Sequence, residues 1–278
     1  MKKSLKMIFC DIAGTLCFHN LHNKMNEAKP IDNNLVELKE PITGKYCHVI
    51  ETPVQDYTVY TDPETIRLLK LIKDRHHLVY ITGSRPSTMT VLRNVLPAPH
   101  ATILESGAVI CLDGYDGVDE FWSNQIAGQI KELKMFVSQL KDNGWIINDE
   151  GRTSAVRIFP YDNPHLSMDD FSDLEKTIKK EKPHLKTSWN IGGLDIVPQS
   201  AGKGNAAKYY ISRFGFDASD TIGIGDDIND LDMYDSVETK LVVRGVHQEI
   251  LEIATKNKWQ ISENVHFDGI NEILKSLL

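Results

Sequence analysis

Cysteine is scarce: four residues in 278 (Cys10, Cys17, Cys47 and Cys111), with no Cys-x-x-Cys spacing. That argues against a disulfide-stapled fold or a thiolate zinc site, and it predicts the reduced thiols of a cytoplasmic chain. Long apolar runs are missing too, so nothing approaches the roughly 20 residues that cross a bilayer. The basic opening Met1-Lys-Lys-Ser-Leu-Lys6 leads into only a few apolar residues, too few for a signal-peptide core. Positive charge is short: 31 Lys and Arg against 39 Asp and Glu give a formal charge of −8. Nucleic acid is thereby disfavoured as a partner, because a polyphosphate needs a basic face. Repeats and low-complexity tracts are absent, which argues against a solenoid. What is present is 41% hydrophobic and 25% charged residues, enough for one large or two modest cores in water.

Strands and helices alternate at both ends of the chain. Met7-Ile8-Phe9-Cys10 opens a buried strand over residues 7–12, broken by Gly14. Residues 16–60 are polar and irregular, with alternating pieces at 46–50 and 57–60 that predict a β-hairpin or flap. Thr61-Asp62-Pro63-Glu64 predicts a helix start, with Ile66, Leu69 and Ile72 on its apolar face. A strand over 78–81 runs into Thr82-Gly83-Ser84-Arg85-Pro86, followed by a helix near 87–96 and a strand over 102–104. The rhythm resumes after 198, with helices at 202–214, 230–236 and 268–277 and strands at 221–224 and 240–243. Such alternation predicts an α/β fold with a doubly wound parallel sheet. The segment 112–197 differs: helix 125–140, strands 145–147 and 155–159, helix 169–180, then strands 185–189 and 194–197. It reads as an inserted α+β cap domain, leaving 1–111 and 198–278 as the core.

Four remote segments carry the chemistry. Asp11, in Asp11-Ile-Ala-Gly-Thr15, follows the first strand, where ligands bind in open α/β sheets. A carboxylate there can attack phosphorus and split phosphoryl transfer into two easier steps. Thr82 and Gly83 form a strand-to-helix turn whose hydroxyl and backbone N–H groups suit phosphate oxygens. Lys203, in Lys203-Gly-Asn-Ala-Ala207, offers a compact ammonium to crowded anions. Gly225-Asp226-Asp227-Ile228-Asn229-Asp230 packs oxygen ligands into a short turn that fits Mg²⁺. Each piece alone is ordinarily structural; their order and spacing are what carry weight.

That ordered set resembles the four signature segments of the haloacid dehalogenase superfamily. Glu105-Ser-Gly-Ala108 and Leu194-Asp-Ile-Val-Pro198 resemble the passages into and out of the cap in its Cof-type, subclass IIB members, which include sugar phosphatases. The resemblance implies Mg²⁺-dependent hydrolysis of a small phosphorylated metabolite, expected to be a sugar phosphate, through an aspartyl-phosphate. It implies Asp11 as nucleophile and metal ligand, a metal-bound carbonyl at Ala13, and Asp226 with Asn229 or Asp230 completing the metal site. Thr82, Gly83 and Lys203 are implied to hold phosphate. The cap turn Trp189-Asn190-Ile191-Gly192-Gly193 is either a Gly turn beside a core Trp or a substrate loop. The resemblance does not extend to residues 16–60.

Ala13 departs from the pattern, which has a second Asp there. Ala can neither protonate a leaving alkoxide nor activate water, help worth about 10²–10⁴-fold. Three accounts stay open: a carboxylate removed to trap substrate, a substitute such as His19 or His22, or a non-catalytic phospholigand-binding protein. Phosphonoacetaldehyde hydrolase natively has Ala at that position, but its cap is helical and follows the first segment. Intact Lys203 and the acidic turn favour the first two accounts. Arg85 is placed either to reach substrate or to serve in capping or a surface ion pair; Arg152 and Arg157 are cations of the cap suited to a sugar or a second anionic group, with Arg152 expected at the surface.

Overall fold

The computed structural model describes residues 5–278 except 20–27, 41, 56, 191 and 246. β1 (Met7–Cys10) is buried throughout, as a strand covered on both faces must be. Then β2 (Phe18–His19), β3 (Lys29–Asp32), β4 (Leu35–Lys39), β5 (Tyr46–Val54) and β6 (Tyr57–Thr61) form an antiparallel sheet in the order β2-β6-β5-β4-β3. The expected hairpin is thus two strands of a larger sheet. Asn33 and Asn34 turn β3 into β4 with left-handed backbones (φ 31° and 69°), which asparagine tolerates. Alternation then buries Val36, Leu38 and Val49 against Phe18 and Phe267.

α1 (Pro63–Lys73) starts where expected, because the Asp62 carboxylate accepts from the amides of Glu64 and Thr65. β7 (His77–Ile81), α2 (Pro86–Leu92), β8 (Ala101–Leu104), β9 (Val109–Asp113) and β10 (Asp116–Val118) follow. β9 and β10 pair at the edge of the central sheet, so residues 112–118 continue the core rather than open the insertion.

α3 (Glu120–Asp142) serves two cores. Trp122 and Ile126 pack under the central sheet, whereas Leu133, Phe136, Val137 and Leu140 pack with β11 (Val156–Ile158), α4 (Met168–Glu181), β12 (Leu185–Asn190) and β13 (Gly193–Pro198). Three strands, not four, make this sheet, in the order β11-β13-β12. The strand expected at 145–147 does not form. The Asn163 side chain both accepts from the Ile146 amide (2.7 Å) and donates to its carbonyl (2.9 Å), so that backbone is satisfied without a partner strand.

The chain returns through α5 (Lys203–Phe214), β14 (Thr221–Gly225), α6 (Leu231–Tyr234), β15 (Thr239–Arg244), α7 (Gln248–Lys256), β16 (Gln260–Val265) and α8 (His266–Ser276). The central sheet runs β10-β9-β8-β7-β1-β14-β15-β16, parallel except at β9 and β10. Successive residues of β1 feed opposite faces: Ile8 and Cys10 join one core, Met7 and Phe9 the other.

Candidate active site

β1 lies between β7 and β14, with Cys10 in register with Tyr80 and Ile224. The residues just past these three carboxyl ends are Asp11, Thr82 and Asp226, so topology alone sets them side by side. The Asp11 amide donates to the Ile224 carbonyl (2.9 Å), fixing the turn. Gly14 sits at φ 88°, and a Cβ there would run into the Asp226 carboxylate. Thr15 Oγ1 donates to Asp226 Oδ1 (2.7 Å).

Lys203, the first residue of α5, enters this cluster from the other side. Its Nζ donates to Asp11 Oδ1 (2.7 Å), Asp230 Oδ1 (2.6 Å) and Asn229 Oδ1 (3.1 Å). Asp230 Oδ2 accepts from the amides of Asp226 (3.1 Å) and Asp227 (3.2 Å). Asp230 is therefore engaged at both oxygens, and Asn229 Oδ1 also faces Lys203. Both face the lysine, as Asp11 does, and Asp11, Asp226 and Asp230 each keep a carboxylate lone pair for a cation. Carboxylate oxygens of Asp11, Asp226 and Asp230 lie within 4.8 Å of one another, all buried.

Three carboxylates face one ammonium, so full ionisation would leave two negative charges in excess, and the cluster resists it. Burial lifts the Asp11 pKa to about 7, with Lys203 opposing and Asp230 adding to the shift. Burial, then Asp11 and Asp230, pushes Asp226 well above the carboxylate range. Burial works against the charge on Lys203, but Asp11 and Asp230 outweigh it and hold the ammonium protonated. A hard divalent cation fits this donor set, since it would remove the excess charge through oxygen ligands. Asp11, Asp226 and Asp230 would hold it, with Ala13 beside them on the cavity wall.

The cluster opens into a cavity of about 620 Å³ with three walls. The core contributes Asp11, Ala13, Thr82, Gly83 and Asn229; the five-stranded sheet contributes His19 and Tyr57; the inserted layer contributes Arg152, Arg157, Phe159, Tyr161 and Gly192. Thr82 Oγ1 accepts from the Ser84 amide (3.1 Å), which shapes the turn. Arg157 forms a buried two-pronged pair with Asp195 (2.6 and 2.7 Å). Arg152 is half-buried in the cavity wall rather than at the surface.

Of the cap turn, Gly192 lines the cavity, while the Trp189 indole donates to Glu175 (3.2 Å) and packs on Phe171, within the cap core. Gly193 lies against Phe159 and Arg157, where a Cβ would clash. Asn190 is placed by its backbone pairing with Gly193. Ile191 and His22 lie outside the described residues.

Some site residues escaped sequence reasoning. Glu105 accepts from the amides of Thr153 (2.7 Å) and Ser154 (2.6 Å), seating the loop 148–154 on the core. Burial raises its pKa, against those amides. The Glu105 amide in turn donates to the Ser84 carbonyl (3.0 Å), linking loop and phosphate turn. Tyr57 and Phe159 fall in or beside expected strands, but nothing in the pattern points them or Tyr161 at the site.

A strand-end aspartate, a Thr-Gly turn, a buried lysine and an acidic loop on a doubly wound sheet with an α+β insertion define the haloacid dehalogenase class. The fold matches the sucrose-phosphatase of Synechocystis sp. PCC6803 solved with sucrose and phosphate (TM-score 0.68, 14% identity, 99% of this chain and 97% of that one). It also matches the subclass IIB sugar phosphatase BT4131 (TM-score 0.60, 15% identity, 98% and 100%). The chain belongs to the sucrose-6F-phosphate phosphohydrolase family, whose pattern matches residues 56–276. Sucrose-phosphatase 1 of Nicotiana tabacum is 22% identical over 227 residues, 76% of this chain and 53% of that protein. The chain spans about half the length of the curated relatives it matches.

Proposed function

We propose that this chain is a Mg²⁺-dependent phosphoric monoester hydrolase acting on a small phosphorylated metabolite, a sugar phosphate, beneath a cap built from residues 119–198. The observation that carries this reading is the Asp11 carboxylate, paired to Lys203 in a buried acidic cluster and facing the cavity. Asp11 attacks phosphorus, the bond to the ester oxygen breaks, and water then cleaves the aspartyl-phosphate. Thr82, Gly83 and Lys203 hold the phosphoryl oxygens. Bound Mg²⁺ supplies charge neutralisation at the phosphoryl group. The aromatic wall of Tyr57, Phe159 and Tyr161 suits the apolar face of a sugar, and the sucrose-phosphatase relatives support that substrate class. The four free cysteines support a reducing, cytoplasmic location.

Ala13 lines the cavity with no carboxylate, so the leaving alkoxide needs its proton from elsewhere. His19 lines the same cavity and rests on Tyr57 (ring centroids 4.7 Å apart), and an imidazole is the side chain suited to proton transfer near neutrality. The test is a phosphate-release screen on sugar phosphates of the chain, Ala13→Asp, His19→Asn and the double variant. The reading expects Ala13→Asp to gain about 10²–10⁴-fold in kcat. It expects His19→Asn to lose the residual rate of the Ala13 form. In the double variant the same change should be tolerated, because the restored carboxylate then carries the proton. Phosphate binding with no turnover in any form would establish the non-catalytic phospholigand-binding alternative, which the missing carboxylate favours.

A further inference from the structure

We propose that Arg152 is a phosphoryl ligand carried by the cap, so that the phosphate charge itself holds the cap loop 148–154 closed on the core. The proposal rests on the phosphatase reading for the identity of the ligand. It starts from a contrast between two cavity-lining arginines. Arg157 is fully matched by Asp195. Arg152 donates through Nη1 only to the neutral Gly83 carbonyl, at 3.5 Å, and its Nε is buried with no hydrogen-bond partner. Among the described residues no carboxylate lies within ion-pair distance of it. A half-buried guanidinium with its Nε sealed from water and no counter-ion is costly, because that desolvation is not offset. Burial first, then the neighbouring Arg157 and Arg85, lowers its pKa, while Asp195 and Glu105 oppose this from a distance. The surroundings thus leave room for one more anion.

The place of that anion follows from the same contact. Gly83 belongs to the turn that offers N–H groups to phosphate, and Arg152 lines the cavity with Asp11, Thr82 and Gly83. A divalent cation would cancel the excess charge of the floor, leaving the phosphoryl dianion itself to be met by Thr82, the turn amides and a guanidinium. Tyr57, Phe159 and Tyr161 wall the cavity elsewhere, and the guanidinium beside them, Arg157, is already neutralised by Asp195.

Arg152 reaches this position only because its loop is seated. Glu105 accepts from Thr153 and Ser154, and Arg85 donates to the Glu150 carbonyl (3.0 Å). These contacts hold the loop, and phosphate completes the contact. Closure and phosphoryl binding are then one coupled equilibrium, and loss of phosphate favours opening.

The experiment is calorimetric titration of inorganic phosphate into the parent chain, Arg152→Gln and Arg152→Lys, with amide hydrogen exchange of residues 148–154 followed alongside. Arg152→Gln should weaken phosphate by roughly 10- to 100-fold and abolish its slowing of exchange in the loop. Arg152→Lys should recover part of the affinity, since it keeps the charge and loses the fork; it also guards against a Gln variant that fails to fold. Phosphate affinity within about twofold of the parent in Arg152→Gln would overturn the proposal. So would a loss confined to esters bearing a second anionic group, or no phosphate binding by the parent. Turnover of sugar phosphates with Arg152→Gln at parental kcat/KM would sink this inference and leave the phosphatase reading standing. Arg152-dependent phosphate binding with no turnover, even in Ala13→Asp, would do the reverse.

Discussion

The floor and the roof of the cavity are charged in opposite senses, and they are held differently. On the floor, Asp11 and Asp230 pair with Lys203 while Asp226 accepts from Thr15, and each contact is short and buried. On the roof, Arg157 pairs with Asp195 and Arg152 donates only to the neutral Gly83 carbonyl, while Arg85 and Glu105 meet the roof loop from the core. The floor is cross-linked by hydrogen bonds among two strand ends and one helix. The roof rests on a loop seated by Glu105 and Arg85. On the phosphatase reading, an anionic floor under a basic roof suits a phosphate and a cation held between them, with the reaction below and the selection above.

The largest break in that comparison comes from the floor. Asp11→Asn keeps the shape and removes the nucleophile, so turnover should fall by roughly 10⁴-fold or more, in the chain and in Ala13→Asp alike. Phosphate release in a stopped assay reads this directly, and residual activity within tenfold of the parent would place the nucleophile elsewhere. Roof substitutions, by contrast, should act mainly through phosphate or sugar affinity.

A smaller effect sharpens the charge contrast through pH. Asp11 is raised from 3.8 to about 7 in the folded chain, so the folded state holds a proton that the unfolded state has released. The stability contributed is full below pH 3.8 and is lost as pH climbs through about 7. Asp226 shifts in the same direction. Lys203, also raised, keeps its contribution to far higher pH. Cation binding must displace the carboxylate protons. The gain in Tm on adding Mg²⁺ should therefore be larger at pH 8 than at pH 5. At about 100 times Kd the stabilisation reaches about 2.7 kcal/mol. Scanning calorimetry checks this; a gain independent of pH, or larger at pH 5, would mean that these carboxylates do not hold the ion.

Floor and roof also differ in how far they could be read from residues alone. Asp11, Thr82, Lys203 and Asp226 follow strands or open a helix at spacings that local patterning exposes, and parallel register then brings them together. The double role of Asp230, toward Lys203 and the turn amides, needed coordinates, because a carboxylate in a short turn serves either a cation or a cap. The roof was less legible. Strand 145–147 failed because Asn163, 17 residues beyond Ile146, satisfies that backbone. Residues 16–60 hide a five-stranded sheet because β2, β3 and β4 have only two, four and five residues and the β3–β4 turn uses Asn33-Asn34 in place of Gly. Glu105 reads as part of a loop until the amides of Thr153 and Ser154 are set against it.

The smallest effect separates two parts of the inserted layer. Trp189 was a candidate for the substrate loop, yet its indole is tied to Glu175 and its ring packs on Phe171. Trp189→Phe should therefore cost about 1 kcal/mol of stability, the worth of one hydrogen bond, and leave KM for sugar phosphates unchanged. Phe159→Ala should do the opposite: Phe159 lines the cavity, stacks on Tyr161 (4.7 Å) and lies under the Arg157 guanidinium (5.7 Å). Its loss should raise KM with little change in kcat, since it offers the same surface to ground and transition states. Denaturant midpoints and initial rates on the same preparations decide the matter. If Trp189→Phe moved KM and Phe159→Ala did not, the turn at 189–193 would be the part of the roof that meets substrate, and the aromatic wall would be scaffold.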